Sequence, residues 1–386
     1  MPRWKFIVFF SAVLTVYGLL NLYIFEHGWD VARENQWGTP YLAAFLVLAL
    51  SYVGGRFLER VWLSWVSSML VWLGALWLAA MVYFLLAVLA IDLVRLLNLL
   101  IPIIPRKLSA MTVEIVVVSV VIVTVAGGFM NALRPRMKQL DLTIPRDGGQ
   151  VRSLSVAVAS DIHLGTIVCK ARLERIVRDI NALEPDLVLL PGDVVDEDLG
   201  PVVKQNLGET LQKIRARYGV FAVTGNHEYI GGVEAACKYL GDHGVILLRD
   251  SSVRIAGSIY IVGREDRAIG QFTRGRRKPL EELLSGIDKS NPVILMDHQP
   301  FTLEEAERSH VDLQLSGHTH HGQLWPFNFI TRKVYEVSWG YKKKGGTHVY
   351  VSSGVGTWGP PVRTGNRPEI VHLVLTFDGG SPPSDA

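Results

Sequence analysis

Residues 313–322 read LQLSGHTHHG, a short apolar strand that runs directly into a loop with three histidines. Other short apolar strands in the second part of the chain are also followed at once by polar, chemically active residues. In an open α/β sheet, ligands bind at the carboxyl ends of the strands. The stretch therefore predicts one side of a functional site at this edge of a sheet.

Four further predicted strand ends carry polar residues that could belong to the same site. SDIHLG holds Asp161 and His163, PGDVVD holds Asp193, TGNHEY holds Asn226 and His227, and DHQP holds His298, while the histidine loop adds His318 and His320. Each piece alone has an ordinary explanation, such as a turn at GD or a helix N-cap at Asn226. Six of the 11 histidines lie in these five segments, so the joint pattern favours a metal site.

The residue types indicate which metals fit. Carboxylate, imidazole and amide groups suit Mn²⁺, Fe²⁺/³⁺ or Zn²⁺. Residues i and i+2 of an extended loop face the same side, so Asp161 and His163 can bind one ion, and His318 and His320 can reach two neighbouring ions. Two cations repel each other, and Asp193 is the natural anionic ligand between them. Water between two such ions becomes a hydroxide nucleophile near neutral pH.

The surrounding pattern predicts an α/β domain. Strands are predicted at 154–159, 187–190, 220–223, 245–248, 253–256, 258–262, 292–296, 313–315, 347–351 and 370–376, with helices at 170–183, 205–216, 233–243 and 303–308. Such alternation is typical of an α/β core. The layout that we expect is a transmembrane region over 1–134, a linker over 135–150, a catalytic domain over 151–376 and a disordered tail over 377–386.

The first 130 residues have the composition of a membrane region. The chain has 386 residues, of which 49% are hydrophobic and 19% charged, and residues 1–130 contain only eight of the 39 basic and six of the 36 acidic residues. This composition excludes collagen-like and disordered proteins. The two cysteines, Cys169 and Cys237, exclude a disulfide scaffold. The remaining domain is nearly neutral, so no nucleic-acid partner is expected.

Four uncharged segments predict about four transmembrane helices: Phe6–Phe25, Trp37–Gly55, Val61–Ile91 and Ile115–Leu133. An alternative assigns Leu96–Ile104, which contains Pro102 and is followed by Pro105, to a re-entrant or interfacial piece. With four spans, seven basic residues lie on the side of the C-terminal domain and four on the other side. The positive-inside rule then places the domain in the cytoplasm, although a fifth crossing would reverse this.

The motif order D-x-H, GD, GNHE, H and GH-x-H resembles that of the calcineurin-like metallophosphoesterase superfamily. SGHTHHGQLWPFNFI and YVSSGVGTWGPPVRTGNRPEI are similar to its bacterial membrane-associated branch, over about residues 151–376. The resemblance implies a sandwich of two sheets between helices. The chain as a whole is expected in a bacterial inner or cell membrane. His321 departs from the pattern, because this branch often has glycine there; a ligand role for His321 is a further alternative.

The resemblance also implies roles for the residues. Asp161, His163, Asp193 and His320 would hold one metal, and Asp193, Asn226, His298 and His318 the other. His227 would act as a proton donor or charge stabiliser without binding metal. The reaction would be in-line attack on phosphorus by a hydroxide that bridges two metals about 3.5–4 Å apart.

The substrate is less sharply indicated. The basic segment Arg267–Lys278 and the run Lys342–Lys344 are either solvated loops or a surface that lies on anionic lipid. Arg363 either contacts a phosphate or braces its loop, and Trp325 and Trp358 either contact an acyl chain or pack. We expect a phospholipid or lipid-linked phosphate as substrate and membrane lipids as partners; no protein partner is indicated. The alternatives are hydrolysis of soluble nucleotides with the helices as a tether, and a non-catalytic membrane sensor or scaffold.

Overall fold

The computed structural model describes residues 3–101 and 109–379 and divides into two compact units. The first contains residues up to 130 together with 359–362, and the second contains the rest. Four long helices build the first unit: α1 (Arg3–Glu34), α2 (Gly38–Val61), α3 (Trp65–Leu100) and α4 (Ala110–Ala132). Three of them, α2, α3 and α4, are long and apolar enough to cross a membrane.

These helices follow the predicted spans, with two differences. The first predicted span, Phe6–Phe25, lies within α1, which is not among the three candidates in the described part of the chain. The alternative re-entrant piece is partly helical, since residues 96–100 are the last part of α3. Residues 102–104 of that piece lie outside the described residues. The structure therefore supports at least three membrane-spanning candidates.

Glycine allows α2 and α3 to approach each other closely. A Cβ atom on Gly74 of α3 would lie 2.1 Å from the backbone nitrogen of Tyr52 in α2, and one on Gly55 would lie 2.7 Å from the nitrogen of Val71. Small residues at such crossings let helix backbones touch in a membrane. Between the helices, the rings of Phe45 and Trp77 pack edge to face at 5.1 Å.

The second unit contains two six-stranded mixed sheets. The first has the order β1-β12-β2-β3-β4-β5, with strands β1 (Arg136–Ile144), β2 (Ser153–Val158), β3 (Leu187–Pro191), β4 (Val220–Val223), β5 (Val245–Leu247) and β12 (Glu369–Phe377). The second has the order β10-β11-β9-β8-β7-β6, with strands β6 (Ser251–Ile255), β7 (Ile259–Gly263), β8 (Val293–Met296), β9 (Leu313–Ser316), β10 (Gly340–Lys344) and β11 (Thr347–Val351).

Side-chain alternation along the strands builds three apolar layers, one between the two sheets and one on the outer face of each sheet. Leu187 and Leu189 of β3 face the second sheet, where they share a buried cluster with Ile294 and Leu313. Val188 and the other alternate residues face the helices that cover the first sheet. These and the remaining helices of the unit are α5 (Lys170–Asn181), α6 (Leu199–Lys204), α7 (Leu207–Leu211), α8 (Asn226–Gly231), α9 (Val233–Asp242), α10 (Ile269–Phe272), α11 (Leu280–Leu283), α12 (Leu303–Arg308) and α13 (Phe327–Val334). The predicted two-sheet sandwich between helices is confirmed.

Four segments differ from the predicted elements. Most of the expected linker, 135–150, is strand β1, which pairs in parallel with β12 from Arg136 to Ile144. The expected helix over 205–216 is shortened to α7, because Asn206 adopts a left-handed conformation (φ 54°) that separates α7 from α6 before it. The lysine run 342–344 lies in the edge strand β10. Of the expected tail, Phe377 belongs to β12 and residues 380–386 lie outside the described residues.

Candidate metal centre

All seven predicted ligands come together where β2, β3, β4, β8 and β9 end. Three overlapping groups have ligand atoms within 4.8 Å of one another: Asp161 with His163 and His320, His163 with Asp193 and His227, and Asp193 with His298 and His318. Asn226 joins them, since its Oδ1 lies 2.8 Å from Nδ1 of His318. The spacing of motifs along the sequence therefore becomes a single cluster in space.

Backbone strain is concentrated in the same loops. Five of the seven residues have left-handed backbone conformations: Asp161 (φ 54°), His163 (φ 54°), Asp193 (φ 51°), His318 (φ 70°) and His320 (φ 44°). Side chains other than glycine rarely adopt such angles, and they persist only where the surrounding structure imposes them. The loops at this edge thus hold their side chains in the cluster at a conformational cost.

The first half of the cluster is built around two imidazoles. The Nε2 atoms of His163 and His320 lie 2.9 Å apart, and Nε2 of His320 lies 3.5 Å from Oδ1 of Asp161. Burial lowers the pKa of His320 well below its ordinary value, and the positive charge that His163 carries when protonated adds to the effect. A neutral imidazole is the form that binds a metal ion. Asp161 and the two histidines therefore fit one cation.

The second half shares Asp193. Its Oδ2 lies 3.1 Å from Nε2 of His298 and 3.9 Å from Nε2 of His163, so this carboxylate lies between the two groups. Burial raises the pKa of Asp193, but the charges of His298, His227 and His163 together outweigh burial and hold that pKa well below its usual range. Burial lowers the pKa of His318 to about 3, which keeps this imidazole neutral.

His298 provides the test of whether a metal fits. Its Nδ1 donates to the carbonyl oxygen of Pro191 at 2.7 Å, which fixes the ring, while Nε2 is buried without a hydrogen-bond partner. An imidazole whose second nitrogen is held by a carbonyl is the usual arrangement of a metal-binding histidine. Without a cation, Asp193 raises the pKa of His298 although burial alone lowers it. A divalent cation at Nε2 would displace that proton, so the residues present fit the two metals.

His227 lies beside the cluster, held by a carboxylate that the sequence analysis missed. Its Nδ1 lies 3.2 Å from Oδ1 of Asp196, and the same oxygen lies 3.5 Å from Nδ1 of His163. Burial lowers the pKa of His227, but the negative charges of Asp193, Asp196 and Glu197 together outweigh it and raise the pKa to about 9. Asp196 stands three residues after Asp193 in PGDVVD, and that spacing is the signal that could have identified it.

Glu228 was also missed, and it holds the loop of Asp193 in place. Its two carboxylate oxygens accept hydrogen bonds from the backbone nitrogens of Asp193, Val195 and Gly225 at 2.7–3.1 Å. The backbone of Gly225 is so close to Asp193 that a Cβ atom would lie 2.1 Å from its Oδ1. The GNHE motif thus places Asn226, His227 and the supporting carboxylate of Glu228 at the centre within four consecutive residues.

The remaining predicted site residues lie around this centre. The guanidinium of Arg363 is fully buried and donates to the carbonyl oxygens of Ser353 and Gly356, and one of its nitrogens lies 3.0 Å from Nδ1 of His320. These contacts are those of a loop brace; contact with a substrate phosphate stays a prediction. Nδ1 of His321 lies 3.0 Å from Oγ of Ser338, and His321 is in none of the three groups of ligand atoms found among the described residues.

The basic segments differ in their surroundings. Arg277 forms an ion pair with the buried Asp297 at 3.0 Å, and Arg267 donates to Thr302 at 2.7 Å, whereas Arg274 and Arg276 are exposed. Lys342 and Lys344 both lie within 2.9 Å of Glu336. Trp325 and Trp358 are about half exposed, and the ring of Trp358 lies 5.9 Å from that of His227.

A buried cluster of aspartates, histidines and an asparagine at the carboxyl ends of two packed sheets is the arrangement expected of the metal-dependent phosphoesterase class. The family model for calcineurin-like phosphoesterases matches residues 154–322. A metallophosphoesterase of Aquifex aeolicus is 35% identical over 230 residues, which cover 58% of this chain and 86% of the relative. The chain belongs to the calcineurin-like phosphoesterase family, as its motifs predicted.

Two other relatives match a longer part of the chain. A metallophosphoesterase of Helicobacter pylori is 35% identical over 254 residues, which cover 64% of this chain and 66% of the relative. A bovine transmembrane protein with a metallophosphoesterase domain is 34% identical over 286 residues, which cover 70% of this chain and 63% of the relative. The match thus spans just under two thirds of the length of these relatives.

Proposed function

We propose that the chain is a membrane-anchored, metal-dependent phosphoester hydrolase that acts on a phosphate ester or pyrophosphate of a phospholipid or another lipid-linked phosphate. The observation that carries this proposal is the convergence of two groups of ligand atoms on the carboxylate of Asp193, beside the charged His227. A non-catalytic scaffold has no need of a complete ligand set with a proton donor next to it.

Bound metals and protein residues have separate tasks in this proposal. Two metal cations (Mn²⁺, Fe²⁺/³⁺ or Zn²⁺), held by the seven ligand residues, would supply an activated water and offset the charge of the phosphoryl oxygens. Asp193 is fixed for a bridging role, since its Oδ1 accepts a hydrogen bond from the backbone nitrogen of His227 at 2.9 Å while Oδ2 faces His298. His227, kept protonated by Asp193 and Asp196, donates a proton to the leaving oxygen.

Apolar side chains near the centre favour a lipid-linked substrate over a free nucleotide. Trp358 is 52% exposed and its ring approaches His227, the residue that would face the leaving group. A substrate with an acyl chain would cover this ring. The candidate membrane helices would keep the domain at the surface where such substrates are found, and the basic-residue bias favours a multi-pass protein with the domain in the cytoplasm.

The test is hydrolysis of a substrate panel by the full chain in detergent with added Mn²⁺. The panel contains bis-p-nitrophenyl phosphate, nucleotides and lipid-linked phosphates. Asp193→Asn serves as the inactive variant and Asp242→Asn, an exposed carboxylate of α9, as its matched control. We expect turnover of lipid-linked compounds that Asp193→Asn abolishes and Asp242→Asn retains. If only nucleotides are hydrolysed, the substrate is a soluble nucleotide and not a lipid. If Asp193→Asn keeps wild-type activity, the proposal that this site catalyses hydrolysis is wrong.

A further inference from the structure

The helix that follows the histidine loop has its apolar side turned outward. Phe327, Ile330 and Val334 of α13 are spaced i, i+3 and i+7 and form one stripe, which we call the outward face. These side chains are 40%, 58% and 56% exposed, whereas Asn328 on another side of the helix is buried. A surface helix ordinarily buries its apolar stripe against the core, so the outward face needs another explanation.

Further apolar surface leads from the outward face towards the metal centre. Trp325, just before the helix, is 49% exposed, and Phe329 is 52% exposed. The side chain of the buried Gln323 bonds both backbone polar groups of Trp358, at 2.9 and 3.0 Å, which ties that tryptophan to the same loop. Several exposed apolar side chains on one helix and the loops next to it indicate an interaction site.

Helix α13 also packs against the loop that carries the predicted metal ligands His318 and His320. Gly322, two residues after His320, packs so closely on α13 that a Cβ atom would lie 2.3 Å from the backbone nitrogen of Asn328. At the other end, the ring of Tyr335 lies 6.1 Å from that of His318. Whatever covers the outward face is therefore held close to the metal ligands.

The charges around α13 identify the occupant. Arg332 and Lys333 on the helix and Lys342 and Lys343 on β10 are exposed, with Glu336 as the acidic neighbour that pairs with Lys342. A short helix with exposed aromatic and aliphatic side chains on one face and cations beside them is typical of an element that lies in a membrane surface. Cations near such a surface are attracted by anionic lipid.

We infer that the outward face of α13 inserts into the anionic surface of the membrane that holds the chain and thereby brings the metal centre to its lipid-bound substrate. The inference rests on the proposed function and adds the element that contacts the bilayer. Only residues 133–135 separate α4 from β1 along the chain, which keeps the domain within reach of a bilayer that α4 crosses.

The experiment places a fluorescent label on the outward face of the full chain. In a background with Cys169→Ser and Cys237→Ser, Ile330→Cys carries the label, and the protein is reconstituted in nanodiscs of phosphatidylcholine and phosphatidylglycerol that contain a doxyl-labelled quencher lipid. The matched control is Val203→Cys on α6, which is 53% exposed and lies elsewhere on the domain. We expect the label at 330 to be quenched several-fold more than the label at 203, and high salt to weaken that quenching.

Two results would overturn the inference. Equal quenching at positions 330 and 203 would show that the outward face does not enter the bilayer. Energy transfer between two labelled copies, without lipid quenching, would assign the face to a second copy of this chain. Quenching does not require turnover, so a failure of the proposed hydrolase reaction would be seen separately in the substrate panel.

Discussion

Asp196 contacts two histidines of the metal centre, and its substitution separates two possible tasks. Its Oδ1 is closer to Nδ1 of His227 (3.2 Å) than to Nδ1 of His163 (3.5 Å). We predict that Asp196→Asn lowers kcat by about 10–100-fold, because a neutral amide no longer holds His227 protonated and oriented. The measurement is the pH profile of hydrolysis, with metal content determined on the same preparation.

Metal content decides how that result is interpreted. If Asp196 acts through His227, the variant keeps its metals. Its activity then falls at a lower pH than that of the wild type, because the pKa of His227 is lower without the charge of Asp196. If it acts instead by orienting His163, metal content falls together with kcat. Loss of both metals at unchanged kcat per metal-loaded molecule would contradict a positioning role for Asp196.

His298 gives the second prediction at the residue scale. Its Nε2, which has no hydrogen-bond partner, and the carbonyl that fixes its ring support the proposal that it binds one of the two metals. We expect His298→Gln, which preserves volume but not the imidazole, to lower bound metal from about two ions to about one per chain. His310→Gln, an exposed histidine outside the cluster, is the control. Full metal content in His298→Gln would remove His298 from the ligand set.

Most residues of the metal centre could be predicted from the sequence because they directly follow buried strands. The position of Asp161 after β2 and of His298 after β8 is readable from short apolar runs, and parallel strands bring their ends to one edge. Asp196 and Glu228 were not assigned, because the spacing within PGDVVD and GNHE places these carboxylates near the site but does not show which histidine or backbone amide each one contacts. Their roles depend on distances that only the folded loops establish.

At the scale of elements, the crossing of α2 and α3 depends on glycine. We predict that Gly74→Ala destabilises the helical unit by about 1–3 kcal/mol, because its Cβ would lie 2.1 Å from the backbone nitrogen of Tyr52 and the helices must separate. Gly54→Ala is the matched control in α2, since nothing lies within 4 Å of its Cβ.

Thermal unfolding of the full chain in detergent measures both variants. Gly54→Ala should be neutral or stabilising by about 0.5–1 kcal/mol, because alanine loses less conformational freedom than glycine in a helix. Equal Tm values for Gly74→Ala and Gly54→Ala would mean that the two helices do not cross at Gly74.

The elements that the sequence did not reveal are those whose partners are distant in sequence. Strand β1 has alternating Leu140, Leu142 and Ile144, but its pairing partner β12 is more than 200 residues away. Strand β10 carries lysines that blunt an exposed sheet edge, a pattern that is easily taken for a solvated loop. Local apolar runs predict central strands well, whereas edge strands depend on tertiary pairing.

For the whole molecule, the number of helices that cross the membrane decides which segments of the chain lie on the same side of it. The loop 35–37 is followed by α2, α3 and α4, the three candidate spans, and then by the second unit. Three crossings place that loop and the domain on opposite sides of the membrane. If α1 crosses the membrane as a fourth span, the excess of basic residues, seven against four, predicts that the domain lies on the cytoplasmic side.

Labelling of single cysteines in intact cells tests this orientation. In the background without Cys169 and Cys237, we expect a membrane-impermeant maleimide to label Asn35→Cys and to spare Glu209→Cys, both of which replace exposed residues. Both should react after lysis, which controls for accessibility. The reverse pattern would place the domain outside and contradict the charge rule for this chain. Equal reactivity in intact cells would mean that α2, α3 and α4 do not make an odd number of crossings, so one of them lies within the membrane surface or packs inside the protein.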